Sequence, residues 1–233
     1  MARCRWPRSA ASCPRGSRRS VDARVTLCGG TGGIGRHVRE QARAAGHEVL
    51  LLARDPTALS PVGPGERLVK GEIGNIEGVE EAVTGADAVV SAVGPTSNTA
   101  EQVALFEDYA RALVAAMERH ALRRLIALSG AAVTAPGERK RFGDRVASVV
   151  VGRVVRHVVL AEQRELDVIA ASPLDRTAPG PPRVVDGPLT CSYGVGDFSI
   201  RPRSRISQAD LAHFMVAQLT DDRYLRQAPS ISY

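Results

Sequence analysis

The sequence predicts an α/β fold: a single Rossmann-like, doubly wound parallel sheet with helices on both faces. Three observations predict it. Short apolar runs of strand length alternate with amphipathic stretches of helix length. The run Ala88–Val93 is apolar at nearly every position, as a strand covered on both faces must be. A glycine-rich turn, Gly29 to Gly35, falls between the first apolar run and the first amphipathic stretch.

The first unit covers Arg24 to Arg54. Val25–Cys28 reads as strand one, Arg36–Ala45 as a helix stopped by Gly46, and Val49–Ala53 as strand two. The turn is Gly-x-x-Gly-x-x-Gly. Gly29 permits a tight turn, Gly32 lets the backbone approach a pyrophosphate, and Gly35 lets the helix pack on the strand. Thr31, Gly33, Ile34 and Arg36 complete a helix start whose free N–H groups suit a dinucleotide. At the end of strand two an acid would bind a ribose hydroxyl, whereas an arginine accommodates a 2′-phosphate. Arg54 holds that position and Asp55 is turned away by Pro56, so the cofactor expected is NADP(H).

A Pro/Gly-rich loop leads to strand three, Arg67–Lys70, after which come Glu72 and Ile73. A helix over Ile76–Val83 ends at Gly85, and strand four ends at Ala92-Val93-Gly94. The helix Ala100–His120 carries its stripe at Val103, Phe106, Tyr109, Leu113 and Met117. Strand five, Leu125–Leu128, ends at Ser129-Gly130. Ligands of such a sheet sit at the carboxyl ends of its strands. The glycine turn, Arg54, Glu72-Ile73, Ala92–Gly94 and Ser129 all converge there. Ser129 is the candidate catalytic hydroxyl.

A long helix is expected over 144–171, then a proline-rich segment over 173–188 without strand-like alternation. Ser207 and Asp210 read as a capping box for a helix over Ala209–Leu219, and Ser230–Tyr233 as a closing strand. His157 and His213 are expected to pack or face solvent, and 137–141 to be a solvated loop.

Composition limits the function. The formal charge is +6, but residues 1–20 hold six arginines and no acid, so the remainder is neutral. Nothing in that balance calls for nucleic acid or an anionic membrane. Residues 1–20 are expected to be a disordered Arg-rich leader, and 21–233 one NAD(P)-binding domain. Cys4, Cys13, Cys28 and Cys191 show neither a disulfide framework nor a zinc spacing, so no metal and a cytoplasmic setting are expected.

From Arg24 onward the chain resembles the atypical short-chain dehydrogenase/reductase group, within it the biliverdin reductase B and flavin reductase branch. The likeness rests on Gly29–Gly35, Leu52–Asp55, Asp87–Ser91, Pro181-Pro182, Asp186–Thr190 and Ile206–Met215. It implies NADP(H) binding, with Pro181 beside the cofactor, and reduction of a small conjugated acceptor such as a flavin or quinone. A monomer or weak homo-oligomer would suffice. The chain departs from the group in lacking Tyr-x-x-x-Lys: neither Lys70 nor Lys140 follows a tyrosine at that spacing. Arg183 stands where the branch has histidine, and the prolines after Asp175 imply a short or distorted sixth strand. With no activated acid in view, the cofactor is expected to supply the chemistry, water the proton, and Ser129 alignment. The alternative is a non-catalytic NADP(H)-binding sensor of the NmrA-like type.

Overall fold

The computed structural model describes residues 23–55, 57, 62–135, 153–196 and 203–233. The leader, the 137–141 run and the first part of the helix expected over 144–171 lie outside them.

The elements follow the order read from the sequence: β1 (Arg24–Cys28), α1 (Gly33–Ala44), β2 (Glu48–Ala53), β3 (Glu66–Lys70), α2 (Ile76–Val83), β4 (Ala88–Ser91), α3 (Ala100–Arg119), β5 (Arg124–Ala127), α4 (Arg156–Ala171) and β6 (Asp175–Thr177). Six strands form one parallel sheet in the order β3-β2-β1-β4-β5-β6. The order reverses between β1 and β4, and the ligand crevice of a doubly wound sheet opens at that point.

Side chains along each strand alternate between two cores. Val25, Leu27, Val49, Leu51, Val90 and Ile126 face α1 and the C-terminal helix α5 (Gln208–Ala217). Cys28, Leu52, Val89, Leu125 and Ala127 face α2, α3 and α4 on the other side. Tyr109, counted in the apolar stripe of α3, is fully buried, and its hydroxyl meets Ser91 Oγ at 3.1 Å. A buried phenol needs such a partner.

Strand six is short, as the prolines imply. Beyond it the sequence gives no hint of β7 (Val184–Val185) or β8 (Gly194–Gly196), each made by pairing with a distant segment. β7 pairs with β9 (Ile206–Ser207), and β8 pairs antiparallel with β10 (Ser230–Ser232). The capping box is half right. Ser207 Oγ accepts from Asp210 N–H at 3.0 Å. The Asp210 carboxylate does not return the bond; it accepts from Thr190 N–H and Oγ1, Cys191 N–H and Tyr233 Oη instead. Burial works to raise this carboxyl, but those hydrogen bonds together hold it below its usual range. Cys28 is a free, buried thiol. No described helix is long and apolar enough to cross a membrane.

Candidate functional site

The glycine turn joins β1 to α1 at the reversal point. Gly29 has φ +83°, a conformation open to glycine, and a Cβ there would lie 2.8 Å from Ala92 O. The β1 and β4 ends are therefore pressed together. A Cβ on Gly35 would run into the Gly29 carbonyl, so α1 lies tight on the strand. Gly32 is more open, the nearest atom to a Cβ there being Gly29 O at 3.4 Å.

Gly32 caps α1 without a side-chain hydrogen bond, and the first turn of α1 holds no acid. Its N–H groups and the positive end of its dipole are thus available to an anion. Arg36 donates Nε–H to Thr31 O at 3.1 Å, which lays its guanidinium along the turn. The side chain of Gln208, the first residue of α5, lies beside Gly33. Thr31, Gly32 and Gly33 are exposed, Ile34 half-buried and Gly35 buried. This cradle fits the diphosphate of a dinucleotide, the ligand expected from the motif.

Arg54 is exposed directly after β2. The Asp55 carboxylate is engaged locally. Its Oδ1 accepts from Thr57 N–H at 2.9 Å and Thr57 Oγ1 at 2.6 Å, and those bonds hold the exposed carboxyl below its ordinary value. Glu72 and Ile73 follow β3, and Glu72 O accepts from Asn75 N–H at the start of α2. Ala92, Val93 and Gly94 leave β4 against the glycine turn. These residues share one end of the sheet, as expected.

Ser129 follows β5 and is 7% exposed; its N–H donates to Pro179 O at 3.0 Å. Pro181 is buried nearby, its carbonyl accepting from Ala131 N–H. His157 and His213 are both hydrogen-bonded within the fold. His157 binds Asn98 through its N–H and ring, and His213 Nδ1 meets Tyr193 Oη at 2.7 Å. Arg183 is exposed after Pro182.

Two residues here were missed by the sequence reading. Glu162 and Glu165 of α4 face the β5 end, and both line the same small hollow as Ser129. The Glu162 carboxyl is pressed against Gly130 so closely that a Cβ on Gly130 would collide with Oε2. Burial pushes Glu162 up to about 7. Glu165 is 3% exposed and is driven well above the carboxylate range by burial, then by Glu162. Among the described residues its Oε1 has no hydrogen-bond partner. A signal did exist. The two glutamates sit at helical spacing within the stripe that continues through Leu166 and Ile169, where a carboxyl is out of place.

The sequence model of the NAD(P)H-binding family matches residues 29–222, from the first motif glycine to beyond α5. The chain belongs to the NAD(P)H-binding family. Its cofactor is therefore a nicotinamide dinucleotide, and its fold is the Rossmann-like α/β fold. Over 82 residues it is 37% identical to a phenylcoumaran benzylic ether reductase of Pinus taeda, a stretch covering 31% of this chain and 27% of that relative. The chain thus aligns with under a third of that reductase's length. A proposed exported protein of Burkholderia pseudomallei is 26% identical and superposes with a TM-score of 0.70, over 91% of this chain and 100% of that one. A proposed NADH-flavin reductase of Streptococcus pneumoniae, 20% identical, matches in fold with a TM-score of 0.73 over 90% and 99% of the two chains.

Proposed function

We propose that this family member is an NADPH-dependent reductase of a small conjugated acceptor, a flavin or quinone. The observation that carries it is the convergence at one sheet end of the glycine cradle, Arg54 and Ser129, in a chain of the NAD(P)H-binding family. When bound, the nicotinamide supplies hydride. The chain's residues hold and orient it: the α1 N–H groups and Arg36 at the diphosphate, Arg54 at a 2′-phosphate, Ala92–Gly94 and Pro181 along the crevice. Asp55 is committed to Thr57, which leaves the arginine as the selecting group at the end of β2.

Ser129 is assigned the hydrogen bond to an acceptor or a carboxamide, and alignment of that kind lowers the barrier by fixing reacting distance. The reductase name of the Pinus taeda relative and the flavin reductase name of the Streptococcus pneumoniae structure point the same way. The experiment is NADPH oxidation by the purified full chain with a flavin, a naphthoquinone and an aliphatic ketone, beside NADPH affinity by calorimetry. Turnover of the flavin or quinone is expected. Tight NADPH binding without turnover of any acceptor would assign the chain to the non-catalytic sensor reading instead.

A further inference from the structure

The reductase reading takes its proton from water and assigns no side chain to the transfer. Two-electron reduction by hydride leaves an anion on the acceptor, and a site that stabilises it by proton transfer gains rate. The short-chain dehydrogenase Tyr/Lys pair is missing, Ser129 is a poor acid, and an arginine such as Arg183 does not give up its proton. Beside Ser129, α4 places a carboxyl pair instead.

We propose that Glu162 is the proton donor of this site: its carboxyl, seated on the Gly130 backbone next to Ser129, protonates the acceptor as the acceptor is reduced. The inference rests on the reductase reading above. Geometry selects Glu162 from the pair. Glu165 is enclosed at 3% exposure, between the sheet and its own helix, whereas Glu162 is half-buried and reaches the strand end.

The surroundings keep Glu162 neutral until neutral pH. Its face of the fold carries Glu165 on the same helix, and near Glu165 lie Tyr109 of α3 and Cys28 of β1, both kept neutral by burial. Burial is the cause acting on Glu162 itself, and it places the group at about 7, where a general acid is both protonated and willing to donate. Burial, and then the neighbouring Glu162, push Glu165 well above the carboxylate range.

The step balances. The Glu162 O–H bond breaks and an O–H or N–H bond forms on the acceptor. The electron pair arrives with the hydride of the reduced nicotinamide, which is oxidised. The carboxylate left behind takes a proton from water through the exposed side of Glu162.

The first test needs no turnover. Carboxyl carbons of the cofactor-free protein, labelled at glutamate Cδ, are titrated by NMR in wild type, Glu162→Gln and Glu165→Gln. One carboxyl is expected to titrate near neutrality, to vanish in Glu162→Gln and to remain in Glu165→Gln. The second test follows NADPH oxidation by FMN and by a naphthoquinone against pH. Wild-type turnover should be level in acid and fall through neutrality as the donor ionises. Glu162→Gln should keep NADPH affinity, lose about 100-fold at pH 6 and lose the limb near neutrality.

No carboxyl titrating near neutrality, or a Glu162→Gln protein with wild-type rate and profile, overturns the proposal while leaving the reductase reading intact. A near-neutral Glu162 titration in a wild-type chain that turns over neither acceptor overturns both. A carboxyl that only fills the helix–sheet interface would change the melting temperature and leave the pH profile in place.

Discussion

The two walls of the crevice are built on different plans. The wall proposed for the cofactor is largely local: β1, the glycine turn, α1 and β2 run consecutively from Arg24 to Ala53, with Ala92 packed on Gly29 and Gln208 on Gly33 from farther along the chain. The wall proposed for the acceptor is assembled from Ser129 after β5, Glu162 and Glu165 on α4, and Ala178 after β6, brought together by packing. A local wall is rigid by covalent connection. An assembled wall owes its chemistry to burial, and its key groups gain their properties on folding. Substitutions should therefore act on the two walls in different ways.

The largest effect is expected at Gly35. A side chain there meets the Gly29 carbonyl, part of the backbone that also abuts Ala92. Neither segment can yield without opening the β1–β4 join. Gly35→Val should cost about 3 kcal/mol of stability, at the upper end for overpacking. Urea denaturation measures it, and NADPH binding should fall with it. A fully stable Gly35→Val protein would show that the α1–β1 contact is looser than the glycine packing implies.

Arg54→Ala sharpens the comparison on the same wall without touching the fold. Losing a charge-assisted contact to a 2′-phosphate should cost about 1.5–3 kcal/mol, or roughly 10- to 150-fold in NADPH affinity. NADH affinity should hardly move. Equal weakening of the two would place Arg54 on the diphosphate or in solvent and remove the case for NADP selectivity.

The same contrast explains what could be read before folding. The strands β1, β2, β4 and β5 are legible because their side chains enter apolar cores on both faces, and the glycine turn because its Gly-x-x-Gly-x-x-Gly spacing is a local motif. Glu162 and Glu165 were passed over because a helix pattern counts a glutamate as polar surface. Only the packing of α4 on the sheet turns them into buried acids. Strands β7 and β8 have the same difficulty, since their pairing partners β9 and β10 lie far along the chain. Asp210 shows the converse. Its spacing from Ser207 suggests a local cap, but the carboxylate reaches Thr190 and Tyr233, and no local rule anticipates those partners.

The smallest effect is a pH dependence that only the acceptor wall should show. Glu162 has an ordinary value of 4.5 and is pushed up to about 7 by burial. Below pH 4.5 the carboxyl is neutral in both folded and unfolded chains, so it adds no pH-dependent term. Between 4.5 and about 7 the unfolded chain has lost this proton while the folded chain retains it, and stability must fall as pH rises. Above about 7 both forms are ionised and the loss is complete. The shift would correspond to about 3 kcal/mol if the group were sealed from water; with one side of Glu162 in contact with solvent, on the order of 1–2 kcal/mol remains. Glu162→Gln removes the ionisation and keeps the shape. Its unfolding free energy should match wild type at pH 4 and exceed it by that amount at pH 8.5, measured by urea denaturation across the range. Arg54→Ala, on the local wall, should shift nothing between those pH values. If Glu162→Gln follows the wild-type curve throughout, the carboxyl is solvated when folded, and the acceptor wall has no buried acid to offer.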